Sequence, residues 1–153
     1  MAHGLNRSVL AIFVGTSLCV STSGCEKPSH TDTIIGTWLV HDSNAPFPMH
    51  MYVFNADGTM QQANPDAGDA HGSDSDGKGI WTTEGSRVHG KWVEVMADRA
   101  THRYTGRGEY SFGISTSGDR FAGKGTMHLF DARNVPTGAI ATSFTGSRVA
   151  LGD

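Results

Sequence analysis

Histidine and carboxylate side chains are the residues of this chain whose chemistry best suits proton transfer. His102, Glu109 and His128 all lie on segments that the apolar pattern predicts to be strands of one sheet. A carboxylate beside a histidine within a cavity forms a general acid–base pair. We therefore predict these three as candidate catalytic residues. The alternative is that they face solvent, because half of the side chains of an antiparallel strand point outward.

A second set of aromatic and polar residues has the character of a small-molecule site, where apolar rings combine with a few polar groups. The predicted ligand-binding residues are Tyr52, Asn64, Asp66, Trp81, Arg99, Tyr110 and Phe112. A buried Arg99 would indicate an anionic or carbonyl ligand, because a buried guanidinium requires a partner. The alternative is that Arg99 lies at a solvated strand end.

Two patterns look in part like metal-binding signals, but neither is complete. Asp74-Ser75-Asp76-Gly77 resembles part of a calcium loop, yet Gly72 and Thr83 stand at the first and twelfth positions of that frame, where carboxylates are needed. Met49-His50-Met51 offers ligands that suit copper(I), but strand alternation turns the histidine away from both methionines. Motifs for nucleotide cofactors, catalytic zinc and a serine nucleophile are absent from the sequence, so we predict no cofactor and no metal.

Cysteine content and charge restrict the function further. The two cysteines are Cys19 and Cys25, so the chain after them has no disulfide framework and no thiolate site. The formal net charge of −3 comes without a cluster of basic residues. Nucleic acid is therefore not an expected partner, because phosphate binding needs clustered Lys and Arg.

The first 24 residues are typical of an export signal. Their apolar run, residues 9–20, is shorter than the ~20 residues of a membrane-spanning helix. Small residues then precede Cys25, which resembles the lipid-attachment site of bacterial lipoproteins, although Thr22 stands where leucine is usual. We predict a signal peptide at 1–24, a tether at 25–33 and a lipid anchor on Cys25. This places the protein in the periplasm or on the outer membrane or cell surface; cleavage with plain secretion is the alternative.

Residues 34–153 are predicted to form one all-β domain, because apolar and polar residues alternate between glycine-containing turns. The predicted strands are 35–42, 48–55, 58–63, 78–83, 87–98, 102–115, 119–131 and 138–150. Most connections are short, which favours an antiparallel up-and-down meander of about eight strands. Closure into a barrel would remove its exposed edges. The long irregular segment 64–78 is a candidate cover for the barrel mouth.

The two ends of this domain resemble the lipocalin and wider calycin barrels. Gly36-Thr37-Trp38 on the first strand and Arg148 on the last match the pair that closes one end of such barrels, where the arginine packs over the indole. The resemblance implies a cavity that binds a small hydrophobic or amphipathic molecule. Since a fold does not specify a function, two alternatives stay open. One is an isomerase, cyclase or hydratase with a His–carboxylate pair in the cavity, and the other is a structural lipoprotein without a ligand.

Overall fold

The computed structural model describes residues 33–45, 47–64 and 70–151. The predicted signal peptide, Cys25 and Asp66 lie outside these ranges. The strands are β1 (Gly36–Asp42), β2 (Met49–Phe54), β3 (Thr59–Ala63), β4 (Gly72–Asp74), β5 (Gly77–Glu84), β6 (Arg87–Asp98), β7 (Tyr104–Ser117), β8 (Arg120–Asp131) and β9 (Pro136–Arg148). No helix in the described ranges has the length and apolarity to cross a membrane.

Eight of these strands close into one antiparallel barrel. The strands pair in the order β1, β2, β3, β5, β6, β7, β8 and β9. The barrel closes where β9 pairs with β1, with Trp38 opposite Arg148. The predicted all-β, up-and-down barrel of about eight strands is thus confirmed, and its strands lie within a few residues of the predicted bounds.

β4 is an addition to the predicted strands and lies within the segment expected to be irregular. It pairs with Met96–Asp98, at the end of β6. Ser75 continues this edge, because its N–H donates to the Val95 carbonyl at 3.0 Å and its hydroxyl accepts from the Val95 N–H at 3.0 Å. β4 and β5 therefore follow one edge of β6 with a short break between them. The Gly-Ser-Asp sequence of β4 has no apolar alternation that could have predicted a strand.

One end of the barrel is closed around Trp38, which is fully buried. The guanidinium carbon of Arg148 lies 4.3 Å from the centroid of the indole ring. Arg148 also donates to the carbonyls of Ile35 at 2.8 Å and Thr33 at 2.6 Å, and to Asp119 Oδ1 at 2.8 Å. The contact expected from the lipocalin resemblance is therefore present. A cation over an indole contributes about 0.5–2 kcal/mol, depending on burial.

Aromatic rings fill the barrel next to this closed end, and glycines on the facing strands make room for them. A Cβ at Gly146 would lie 2.2 Å from the Phe121 ring, and one at Gly125 would lie 2.3 Å from the Tyr110 ring. Only glycine permits so close an approach. The buried core comprises Ile34, Trp38, Val40, Tyr52, Phe54, Met60, Val88, Trp92, Tyr110, Phe112, Ile114, Phe121 and Phe144.

Candidate functional site

A cavity of about 230 Å³ occupies the end of the barrel away from Trp38 and Arg148. One part of its wall is apolar and comes mainly from β6, β8 and β9. The apolar lining residues are Ala45, Phe47, Trp92, Met96, Met127, Leu129 and Ile140. Polar side chains from β1, β2, β3, β4, β6, β7 and β9 and from the connections after β1 and β3 form most of the rest. The polar lining residues include Asp42, His50, Gln62, Asn64, Glu94 and Thr142.

Strand alternation explains why polar groups reach the interior here. Glu94 follows Trp92 by two residues on β6, and Asp42 follows Val40 by two residues on β1. Residues two apart on a strand face the same side, so each carboxylate is the next inward position beyond a core residue. Asp42 is 6% exposed and Glu94 is 7% exposed. Two carboxyl groups are therefore buried at the cavity.

Glu94 has few partners for a buried carboxyl group. It accepts one long hydrogen bond, from Asn64 Nδ2 at 3.5 Å, and no Lys or Arg of the described residues lines the cavity. Burial, together with the negative charge of Asp74, raises the pKa of Glu94 to about 7. A carboxyl group with this pKa exchanges its proton near neutral pH, which suits acid–base chemistry or a change of charge on binding.

His50, Gln62 and Asn64 form a hydrogen-bonded cluster beside Glu94. His50 Nδ1 lies 2.5 Å from Asn64 Oδ1, and Gln62 Nε2 also donates to that oxygen. Gln62 Nε2 also lies 3.3 Å from His50 Nδ1, but the closer contact is to the Asn64 oxygen, which only accepts, and it therefore places the hydrogen on Nδ1. In the neutral ring, Nε2 is then an acceptor. This buried atom has no hydrogen-bond partner among the described residues.

Three aromatic rings form the floor of the cavity. Trp92 and Tyr110 stack with their centroids 5.0 Å apart, and the Tyr110 hydroxyl lies 2.5 Å from Thr142 Oγ1. Burial raises the pKa of Tyr110 to about 12 and raises the pKa of Tyr52 well above its usual value. Both hydroxyls therefore stay protonated at neutral pH. The buried Trp92 Nε1 lies close enough to the Tyr52 hydroxyl to offset part of this rise in pKa, but it makes no well-formed hydrogen bond in the described part of the chain.

The candidate catalytic residues lie elsewhere. His102 is exposed in the β6–β7 connection with a φ of 56°, and His128 is exposed on β8. Glu109 faces outward from β7, 2.5 Å from Lys91 and 2.7 Å from Arg107, and these hydrogen-bonded cations lower its pKa. Glu109 and His128 are register neighbours, but on the outer surface. The structure thus corrects the expected convergence of these three residues inside the cavity, because Glu109 precedes the inward-facing Tyr110.

Three of the predicted ligand-binding residues, Tyr52, Asn64 and Tyr110, line the cavity. The residues that the prediction missed there are Asp42, His50, Gln62, Glu94 and Thr142. The inward position of Glu94 could have been predicted from the sequence. Glu94 lies an even number of residues from Val88 and Trp92, so it belongs to the same, mostly apolar face of β6.

The other predicted ligand-binding residues are placed differently. Phe112 is buried in the core and does not line the cavity. Trp81 lies toward the closed end, where its Nε1 donates to the Asn55 carbonyl at 3.0 Å. Arg99 lies in the β6–β7 connection, and its Nε donates to the Gly72 carbonyl at 2.7 Å. The prediction that Phe112, Trp81 and Arg99 line one ligand site is therefore corrected. Asp66 lies outside the described residues.

The described residues contain no group of three or more His, Cys, Asp or Glu side chains that could hold a metal ion. Met49 and Met51 are exposed, whereas His50 lines the cavity. This is the separation of faces that alternation predicts for the triplet.

Comparison of the chain with protein-family models, with curated proteins and with solved structures finds no match. The barrel is compatible with a small-molecule-binding calycin-like fold. What it binds must be inferred from the chemistry of its cavity.

Proposed function

We propose that this protein binds a small amphipathic molecule in the cavity of its barrel, outside the cytoplasm. The observation that carries this proposal is the pairing of an apolar wall with buried polar atoms that lack partners, His50 Nε2 and Trp92 Nε1. Buried polar atoms in native proteins nearly always have a hydrogen-bond partner. A ligand with an apolar body and a polar group would cover the wall and pair with these nitrogens.

The size of the cavity limits the ligand. A volume of about 230 Å³ lies just below the ~300–1,000 Å³ of typical ligand pockets. A ligand of roughly ten non-hydrogen atoms, smaller than most drugs, is therefore the size to test. Since small ligands gain at most ~1.5 kcal/mol per such atom and usually much less, we expect a Kd from micromolar to millimolar.

A purely structural barrel accounts less well for this end of the molecule. A buried carboxyl group without a cation lowers stability, as do unpaired ring nitrogens. An apolar residue at position 94 would avoid the first of these costs. The presence of Glu94 beside an open space is therefore better explained if the cavity binds a ligand.

The three tryptophan indole N–H groups provide a direct test. Those of Trp38 and Trp81 donate to the carbonyls of Ile34 and Asn55, whereas that of Trp92 is unpaired at the cavity. Titration with 2-phenylethanol, followed by ¹H–¹⁵N NMR, should shift the Trp92 indole signal far more than the other two. Equal shifts of all three signals, or none at saturating ligand, would contradict binding in this cavity.

A blocked cavity supplies the matched control. Ile140 lines the cavity and is 45% exposed, so Ile140→Trp should obstruct it without disturbing the core. Ile80 is 67% exposed on the outer face of β5, and Ile80→Trp adds the same ring away from the cavity. Binding should be lost in the first variant and retained in the second. If both variants still bind the ligand, the ligand binds outside this cavity.

Placement outside the cytoplasm is supported by the leader sequence and the small residues before Cys25. The intact mass of the protein purified from its own host tests this. A chain that begins at a lipid-modified Cys25 supports the anchor, and an unmodified chain cleaved near residue 25 supports plain secretion. A cytoplasmic chain that retains its first 24 residues would contradict export.

The raised pKa of Glu94, about 7, favours one second function, which is acid–base catalysis on the bound molecule. His50 and two tyrosines share the cavity with it, so the site has the groups that an isomerase, cyclase or hydratase of a small substrate would need. Catalysis predicts that the native protein converts a molecule that the Glu94→Gln variant binds and leaves unchanged. The same product composition from both proteins would speak against it.

A further inference from the structure

We infer that the ligand of this cavity is a cation, a small hydrophobic amine whose ammonium group is held by Glu94 and Asp42. This inference rests on the proposed function and specifies its ligand class. It follows from the charge of the cavity, from its aromatic rings and from the balance of its hydrogen-bonding groups.

Two buried carboxyl groups, those of Asp42 and Glu94, line the cavity, and no Lys or Arg of the described residues does. Asp42 Oδ1 accepts the Asn44 N–H at 2.9 Å, but neither Asp42 nor Glu94 forms an ion pair within the described chain. Burying a carboxylate without a counter-charge is costly. A ligand ammonium would supply the missing positive charge.

The aromatic rings of the floor lie in the field of the same carboxylates. The charges of Asp42 and Glu94 both act on the Tyr52 hydroxyl, and that of Asp42 also acts on Tyr110. The two carboxyl groups therefore lie near one set of rings, which includes the stacked Trp92. Aromatic faces attract cations, so the apolar part of the wall is also compatible with an ammonium group.

The hydrogen-bonding groups fit an amine better than an acid. A primary ammonium has three N–H donors and no acceptor. The carboxyl groups of Asp42 and Glu94 accept hydrogen bonds. A ligand carboxylate would instead lie beside two buried carboxyl groups, and like charges repel strongly when they are shielded from water. The unpaired Trp92 N–H would suit an oxygen acceptor on the same ligand.

Binding of a cation should be linked to the ionisation of Glu94. The other titratable groups at the cavity are Asp42 from β1, His50 and Tyr52 from β2, Asp74 from β4 and Tyr110 from β7, while β3 and β8 contribute the uncharged Gln62 and Met127. An ammonium favours the ionised form of Glu94. With a pKa of about 7 for Glu94, the ionised fraction rises about ten-fold between pH 6 and pH 8. Affinity for an amine should rise by about that factor.

Three ligands of similar shape but different charge test this inference with the purified protein. We would measure the Kd of 2-phenylethylamine, 2-phenylethanol and phenylacetate by calorimetry at pH 6 and pH 8. The amine should bind most tightly and gain about ten-fold in affinity between these pH values. The alcohol should be insensitive to pH, and phenylacetate should bind most weakly.

Variants assign the effect to the buried carboxyl groups. Glu94→Gln should weaken amine binding by about ten-fold or more, which is typical for loss of a charge-assisted hydrogen bond, and should abolish the gain with pH. Affinity for 2-phenylethanol should fall less than affinity for the amine, because the alcohol carries no charge. Asp42→Asn should also weaken amine binding. Glu84→Gln is the control, because the Glu84 side chain is 89% exposed.

The outcomes separate this inference from the proposed function. If the alcohol or phenylacetate binds as tightly as the amine, or if amine affinity falls with pH, the cavity binds ligands but does not select cations. If none of the three ligands binds and the Trp92 indole signal does not move, both the inference and the proposed function fail. If a variant does not fold, the affinities of the native protein for the amine at pH 6 and pH 8 still test the inference.

Discussion

The two ends of the barrel are built from the same strands but differ in how completely their polar groups are paired. At the closed end, Trp38 Nε1 donates to the Ile34 carbonyl at 2.7 Å, and Arg148 is bonded to two carbonyls and a carboxylate. At the cavity end, Trp92 Nε1 has no partner and Glu94 has one long hydrogen bond. The difference indicates that one end stabilises the fold while the other carries groups that lower stability.

This division is typical of proteins that bind ligands, because a preformed polar site must be supported by a rigid surrounding structure. The aromatic filling near Trp38 can offset the cost of a carboxyl group buried at the other end. Variants at the closed end should therefore affect mainly unfolding. Variants at the cavity end should affect mainly binding and the response to pH.

The largest effect should come from emptying the closed end. Trp38→Ala removes a fully buried indole, which should reduce the free energy of unfolding by about 3–5 kcal/mol. Leu129→Ala, at the cavity, should cost about 1 kcal/mol, because the side chain is only partly buried and already borders open space. Urea denaturation measures both. If Leu129→Ala reduces the free energy of unfolding more than Trp38→Ala does, the closed end is not the part that mainly stabilises the fold.

The next effect concerns pH and the buried Glu94. Its pKa is raised from 4.5 to about 7, so the folded protein binds this proton more tightly than the unfolded chain does. The resulting stability is fully present below pH 4.5 and is lost as pH rises through 7. From pH 5 to pH 8 the free energy of unfolding should fall by about 2.5 kcal/mol. Denaturation at several pH values measures this fall.

Two variants sharpen this pH test. Glu94→Gln should remove most of the decline between pH 5 and pH 8. Glu109→Gln should preserve it, because paired Lys91 and Arg107 lower the pKa of Glu109 and its contribution changes only in acid. A native protein as stable at pH 8 as at pH 5 would show that Glu94 is not buried as described.

A smaller effect is expected for Arg148→Lys at the closed end. Lysine keeps the charge over Trp38 but cannot reproduce the guanidinium hydrogen bonds to Thr33, Ile35 and Asp119. Thermal or urea denaturation should show a loss of about 1–2 kcal/mol. A loss equal to that of Trp38→Ala would mean that the guanidinium contacts, not the buried ring, dominate the stability of this end.

Most of the fold could be predicted from the sequence, but only part of the cavity could. Strand positions follow from local alternation and from turns such as Asp57-Gly58, where Gly58 has a φ of 84°. β4 was missed, because its pairing with β6 rather than its composition makes it a strand. Tyr52, Asn64 and Tyr110, which were predicted as ligand-binding residues, line the cavity, and so does Glu94, which was not predicted.

The sequence by itself determined the order of the eight barrel strands and the residues available to close the barrel, because these depend on local periodicity and on turn residues. Tertiary structure decided which carboxyl group would be chemically unusual. Glu109 lies between two cations on the outer surface, and Glu94 lies in the interior without one. The physical reason is that burial and charge pairing, which set a pKa, depend on strands that are distant in sequence and meet only when the barrel closes.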